Sequence, residues 1–324
     1  MPATPAHPTV PVRKAALARW LGVDPSAVGT GPRHPLAGGV RSPLVERVEV
    51  TAVGTAGVPY RCAVVAKRAC AAEVVVLREI ATVSTDAFPE LIDAGADDHG
   101  PWVVLSFRPG AALAWDAALP AAVYASLARL HQRYLGGAGR LPAGLPRVDE
   151  EFCRHALREF APAGIHEARR GDPRPVHDRA LDLLGRWSHD ERMLAGPRVL
   201  PATLLHGDVY GHNVVVDSAD GTRPCLIDWG SARIGPAMLD VALTAGTSSA
   251  GFAAYLRAWE EAACAPLDRW QAAAGHAWAT AFGTAMFVGA VATRFGPAPV
   301  GRLLDRAGAA LDRFGHLLAG AGHG

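Results

Sequence analysis

Two different patterns of apolar and polar residues run along the chain, and the change between them divides it. Residues 44–53, 60–68, 91–94 and 102–107 are short, β-like runs rich in apolar and β-branched residues. Glycine-bearing segments, 54–57 between the first pair and 95–100 between the last, make each pair read as a hairpin. An amphipathic stretch at 12–21 predicts a short helix before the strands, and one more helix, 71–83, interrupts them. Beyond Arg108-Pro109-Gly110 the pattern becomes mostly helical. Pro120 opens a helix whose Val123, Leu127, Leu130 and Tyr134 share a stripe, with Gly136-Gly137 to close it. Later helices are expected within 150–160, 176–195, 251–264, 267–294 and 300–319, with one β segment, 204–228, set among them. The pattern predicts an α+β chain: a β-rich lobe over 1–105, a hinge at 106–110, and a larger, mostly helical lobe over 111–324.

Composition narrows the possible functions. The 324 residues carry 32 basic and 31 acidic side chains, so no basic field exists to gather nucleic acid or an anionic membrane. The five cysteines form no C-x-x-C pair, which argues against a zinc knuckle or a disulfide scaffold and for a reducing, cytoplasmic setting. The N-terminus has no apolar signal segment. Residues 270–293 lack charge, but their Ala, Gly and Thr content suits a buried helix better than a membrane span. Among the 32 basic residues only Lys14 and Lys67 are lysine, and Asn213 is the only asparagine.

That asparagine sits in the stretch LLHGDVYGHNVVVDSADGTRPCLIDWG. Two apolar strands flank a turn at 217–221, where Asp217 and Asp220 read as turn formers. Closing the hairpin brings Asn213 and Asp228 to one end, where two oxygen donors suit Mg²⁺. Asp208, five residues before Asn213, is free to orient a hydroxyl or accept its proton. His206 reads as a histidine that satisfies backbone groups near Asp208, and His212 is left without a role.

The spacing Asp208-x4-Asn213 followed by Asp228-Trp229-Gly230 resembles the catalytic loop and metal triplet of protein-kinase-like phosphotransferases. His206-Gly207-Asp208 and the phrase from Gly230 to Asp240 are similar to the aminoglycoside phosphotransferase branch, the small-molecule kinases, in which the later aspartate helps to hold the loop. This resemblance covers about residues 36–245 and implies a protein-kinase-like two-lobe fold, in which a small antiparallel sheet with one main helix binds nucleotide. It also implies ATP and Mg²⁺, a small hydroxylated substrate, and a monomer or homodimer.

Such a fold asks for a lysine on the third strand and an acidic partner on the next helix. Lys67 ends its strand in the right place, and a point-charge ammonium serves phosphate in a way arginine does not. Glu73 falls on the apolar stripe of Val76, Leu77 and Ile80, whereas Glu79 sits at its edge, so Glu73 is the expected partner. Gly38 and Gly39 lie where the resemblance places a loop over the phosphates, although G-x-G-x-x-G is absent. Ser106 and Phe107 lie in the linker whose backbone receives adenine in the family. His131, in the preceding helix, reads as a core residue. The acidic runs 149–151 and 260–261 are candidate contacts for a cationic acceptor. Two other functions are compatible with these residues: a nucleotide-binding module without transfer activity, and a metal-dependent hydrolase using His206, Asp208, His212 and Asp228.

Overall fold

The computed structural model describes residues 9–36, 44–54, 56–81, 87–136, 141–217 and 223–321. The chain divides into two compact units. The first comprises Met1–Ala117, Pro142–Leu145 and Tyr210–Ala232, and the second Ala118–Leu141, Pro146–Val209 and Arg233–Gly324.

The first unit is built on a five-stranded antiparallel sheet of order β1-β2-β3-β5-β4. Helix α1 (Lys14–Leu21) leads into β1 (Val28–Pro35), β2 (Val45–Val53) and β3 (Pro59–Arg68). Helix α2 (Ala71–Ile80), β4 (Leu91–Asp97) and β5 (Gly100–Ser106) follow. The β2–β3 ladder runs unbroken from Val45↔Lys67 to Val53↔Pro59. Strand β1 escaped the sequence reading because its Gly, Pro, Arg and His residues look like a loop. As an edge strand it needs to pair only with β2, and the register shift between Thr30 and Arg33 accommodates Pro32. Val48, Val50, Ala52, Val64, Ala66, Trp102 and Val104 form one sheet face, buried with Leu17 and Ala18 of α1. Burial of this kind contributes about 1.5–3 kcal/mol for each large side chain. Directly paired residues share a face, so Lys67 stands on the opposite one with Val45 and Val103. A second sheet joins β6 (Ala111–Ala112), β8 (Val214–Val216) and β9 (Pro224–Leu226) in the order β6-β8-β9. At its margin Gly110 has φ +135°, and any Cβ would strike the Val216 carbonyl.

The second unit is mostly helical. Helix α3 (Ala121–Arg133) matches the predicted stripe, but the expected helix at 150–160 runs further. Helix α4 (Glu150–His155) continues through a π-helical turn, Ala156–Phe160, into α5 (Ala161–Gly171). Pro162 has no N–H to give, and the wider turn shifts the hydrogen-bond register there. The single helix expected at 176–195 is two, α6 (Pro175–Trp187) and α7 (Glu191–Val199). The break comes where Asp190 caps α7, its carboxylate accepting from the Arg192 N–H at 2.9 Å. Strands β7 (Ala202–Leu205) and β10 (Arg233–Pro236) pair antiparallel, extending β structure past the predicted 204–228. Helices α8 (Ala250–Ala263), α9 (Arg269–Phe295) and α10 (Val300–Ala321) complete the unit. The charge-free run lies within α9, whose Trp278, Phe282, Ala285 and Val288 are buried in this core. Among the described residues no helix is long and apolar enough to cross a membrane.

Candidate functional site

Strand β3 delivers Lys67 next to its last residue, and α2 begins three residues later. Cys70 caps that helix, its Sγ accepting from the Glu73 N–H at 3.4 Å, so Glu73 falls in the first turn. Lys67 Nζ then lies 2.9 Å from Glu73 Oε1 and 2.6 Å from Asp228 Oδ1. It is Glu73 that meets the lysine, while Glu79 lies near the other end of α2. Glu73 is the deepest of the three and Asp228 the most exposed, with side-chain exposures of 2% and 31%. Burial works against the Lys67 ammonium, but attraction and hydrogen bonds from both carboxylates outweigh it and raise its pKa. Burial also raises Glu73 above the ordinary carboxylate range, with Lys67 opposing and the Asp228 charge adding to the rise. One ammonium thus serves two carboxylates. Of the two, Asp228 is the carboxylate left open to solvent.

Asp228 is placed by the β8–β9 hairpin. Val214 pairs with Leu226, and the Ile227 N–H donates to the Asn213 carbonyl at 2.8 Å, so Asn213 and Asp228 both leave the hairpin at its open end. Asp228 has φ 62° and ψ 72°, a left-handed conformation that costs a non-glycine residue about 1–3 kcal/mol. Nothing in the sequence announces it. Trp229 fixes the bend by burying its ring edge-on to Phe88, with centroids 5.0 Å apart. The Cys70 thiol donates to the Gly230 carbonyl at 3.5 Å, tying α2 to this turn. Tyr210 stacks between Trp115 and His212 at centroid distances of 5.5 and 6.3 Å, so His212 belongs to a ring stack beside Asn213.

The second unit holds His206-Gly207-Asp208. Buried Asp240 accepts from the N–H groups of His206 at 2.6 Å and Gly207 at 2.8 Å. Its Oδ2 also lies 3.3 Å from His131 Nε2, while His131 Nδ1 lies 2.9 Å from the Tyr255 hydroxyl. Burial alone would raise Asp240, but the hydrogen bond and attraction from His131, with the Gly207 N–H, hold it below its ordinary value. His206 Nδ1 accepts the Asp208 N–H at 3.2 Å, the backbone duty its position suggested. That bond fixes the tautomer and commits Nδ1, an arrangement that serves the loop rather than a metal. Among the described residues no three His, Cys, Asp or Glu side chains gather as a metal cluster.

In the linker, the Ser106 N–H donates to the Glu90 carbonyl at 2.9 Å and the Phe107 N–H to the Ala63 carbonyl at 3.3 Å. Gly38 and Gly39 lie outside the described residues, as does most of the 217–221 turn. The acidic run 149–151 has structural uses. Asp149 caps α4 through the Phe152 N–H at 2.8 Å, and Glu150 pairs with Arg154 and Arg198 at 3.0 and 2.8 Å.

A sheet lysine paired with a helix glutamate and joined to an aspartate at the end of a hairpin is the arrangement expected of a kinase-like phosphotransferase. Residues 59–278, more than half of the chain, match the phosphotransferase enzyme family, and the chain belongs to that family. It is 32% identical over 161 residues to viomycin phosphotransferase of Streptomyces vinaceus, a match covering 47% of this chain and 53% of that protein. The chain therefore spans about half the length of that curated relative. In fold it resembles an aminoglycoside phosphotransferase from Alicyclobacillus acidocaldarius, with a TM-score of 0.51, 15% identity, and 98% and 97% of the two chains covered. It also resembles a choline kinase from Cryptosporidium parvum, with a TM-score of 0.55, 11% identity, and 95% of each chain covered. These likenesses establish the protein-kinase-like α+β fold.

Proposed function

We propose that the chain transfers the γ-phosphoryl group of ATP to a hydroxyl of a small molecule: an antibiotic, a sugar or an amino alcohol. The observation that supports this most is the Lys67 ammonium held between buried Glu73 and exposed Asp228. In this mechanism Lys67, oriented by Glu73, binds the α and β phosphates. Asn213 and Asp228 are the hard oxygen donors that Mg²⁺ prefers. When bound, the ion neutralises charge on the phosphate oxygens. Asp208 orients the acceptor hydroxyl and takes its proton as the new O–P bond forms and ADP departs with the bridging oxygen. A loose transition state asks mainly for positioning, and the Asp240 bonds to His206 and Gly207 give Asp208 a fixed backbone. Residues 1–105 form the nucleotide-binding lobe and 111–324 the catalytic and acceptor-binding lobe, which also lends Asn213 and Asp228 to the nucleotide's metal, with 106–110 as the hinge.

The likeness to viomycin phosphotransferase puts viomycin first among the acceptors to try. The test is an ADP-release screen with Mg-ATP against viomycin, other peptide antibiotics, aminoglycosides, macrolides, sugars and amino alcohols. An acceptor that gains the mass of one phosphate is expected. ATP binding without any adduct across the panel would favour a nucleotide-binding module instead.

A further inference from the structure

Arg47 lies on the same sheet face as Lys67. It pairs across β2–β3 with Val65, which pairs with Leu105 on β5, two strand positions from the set containing Lys67. Its guanidinium carbon is 5.0 Å from the centroid of the Phe107 ring. Its Nε is buried and meets no hydrogen-bond acceptor among the described residues. A buried donor left without an acceptor is costly, and a ligand that draws the guanidinium out to meet an acceptor removes the cost.

The spacing fits one kind of ligand. Phe107 is anchored to Ala63, four strand positions from Lys67, which is roughly 13 Å at about 3.3 Å per residue. If phosphates meet Lys67, an extended nucleotide lies along this face with its base toward Phe107 and Arg47. This placement rests on the phosphotransferase reading above. The N–H groups of Ser106 and Phe107 are already spent on Glu90 and Ala63, so Arg47 offers the base donors that these two positions do not. Guanine presents adjacent N7 and O6 acceptors, which match the guanidinium fork. Adenine presents N7 beside an amino group, giving one bond and setting a donor against a cation.

We propose that Arg47 selects the phosphoryl donor by reading the N7/O6 edge of guanine, so that the enzyme accepts GTP as well as ATP and binds GTP the more tightly. The competing explanation is that the arginine stem only covers the Phe107 ring, a packing role that discriminates between no bases.

Isothermal titration of the full chain with Mg-GDP and Mg-ADP separates the two. The wild type should bind Mg-GDP about tenfold or more tightly than Mg-ADP. Arg47→Met, which keeps an apolar stem over Phe107, should bring the two affinities together. Arg47→Gln, whose amide pairs with adenine N6 and N7, should reverse the order. Equal affinities in the wild type, or a preference that persists in Arg47→Met, would overturn the role of Arg47 and leave the phosphotransferase reading standing. Binding of neither nucleotide would overturn both. The wild-type ratio needs no variant to fold.

Discussion

Lys67 and Asp240 show how single residues carry this structure. Replacing Lys67 with Met leaves Glu73 buried beside Asp228 with no ammonium, and should destabilise the first unit by about 3 kcal/mol. Because burial already raises Glu73, the orphaned group takes up a proton. A carboxyl whose folded pKa is raised contributes most when protonated, so Lys67→Met should lose stability as pH rises from the ordinary glutamate range through the raised value. Adding Glu73→Gln should recover part of the loss and flatten that slope, as urea denaturation at several pH values would show. Unaltered stability in Lys67→Met would mean that the pair is not coupled. Asp240 has the opposite sign. Its folded pKa is depressed, so its contribution is present above the ordinary aspartate value and is lost as pH falls through the folded one. Asp240→Asn should cost about 1–3 kcal/mol at neutral pH, by setting an amide N–H₂ among the donors of His206, Gly207 and His131, and should shorten the acid arm of the stability profile. A variant with the wild-type profile would remove Asp240 from the account of acid stability. The Lys67–Glu73 pair and the shared hairpin end of Asn213 and Asp228 were legible from the family resemblance together with short counting along a strand, a helix face and a hairpin. Arg47, Cys70 and the left-handed turn at Asp228 were not, because they depend on cross-strand neighbours and backbone angles that linear order does not encode.

At the scale of elements, the sequence misled where a neighbour supplied what the local pattern lacked. Strand β1 holds its place by pairing with β2, and β10, with its Gly and Pro, by pairing with β7. Pro162 did not end a helix, because the π-helical turn before it absorbs the missing bond. Close packing explains the glycines of α9. A Cβ on Gly289 would strike the Ala161 carbonyl, and one on Gly164 would strike the backbone of Gly289, so α5 and α9 cross where both lack side chains. Alanine at either position should lower stability by about 1–3 kcal/mol. The double variant should cost less than the sum, because helices parted once admit both methyls. Gly185, in the last turn of α6 with open space where a Cβ would stand, is the control, and alanine there should add up to about 0.5–1 kcal/mol. Thermal denaturation of the four variants decides. A neutral Gly289→Ala would contradict the close crossing.

For the whole molecule, each unit holds its own share of the proposed site through its own contacts. The first holds Lys67, Glu73, Asn213 and Asp228 through one sheet, one helix turn and one hairpin. The second holds the backbone of Asp208 through buried Asp240. The central claim is that Asp208 acts on the acceptor while the Lys67 assembly acts on the nucleotide. The most direct measurement takes the acceptor found in the screen and compares wild type with Asp208→Ala for Mg-nucleotide affinity and for the phosphorylated product by mass. The account predicts nucleotide binding within about twofold of wild type and a fall in product formation of about 10²–10⁴, the scale of a lost general base. An Asp208→Ala chain that phosphorylates the acceptor at the wild-type rate would contradict it.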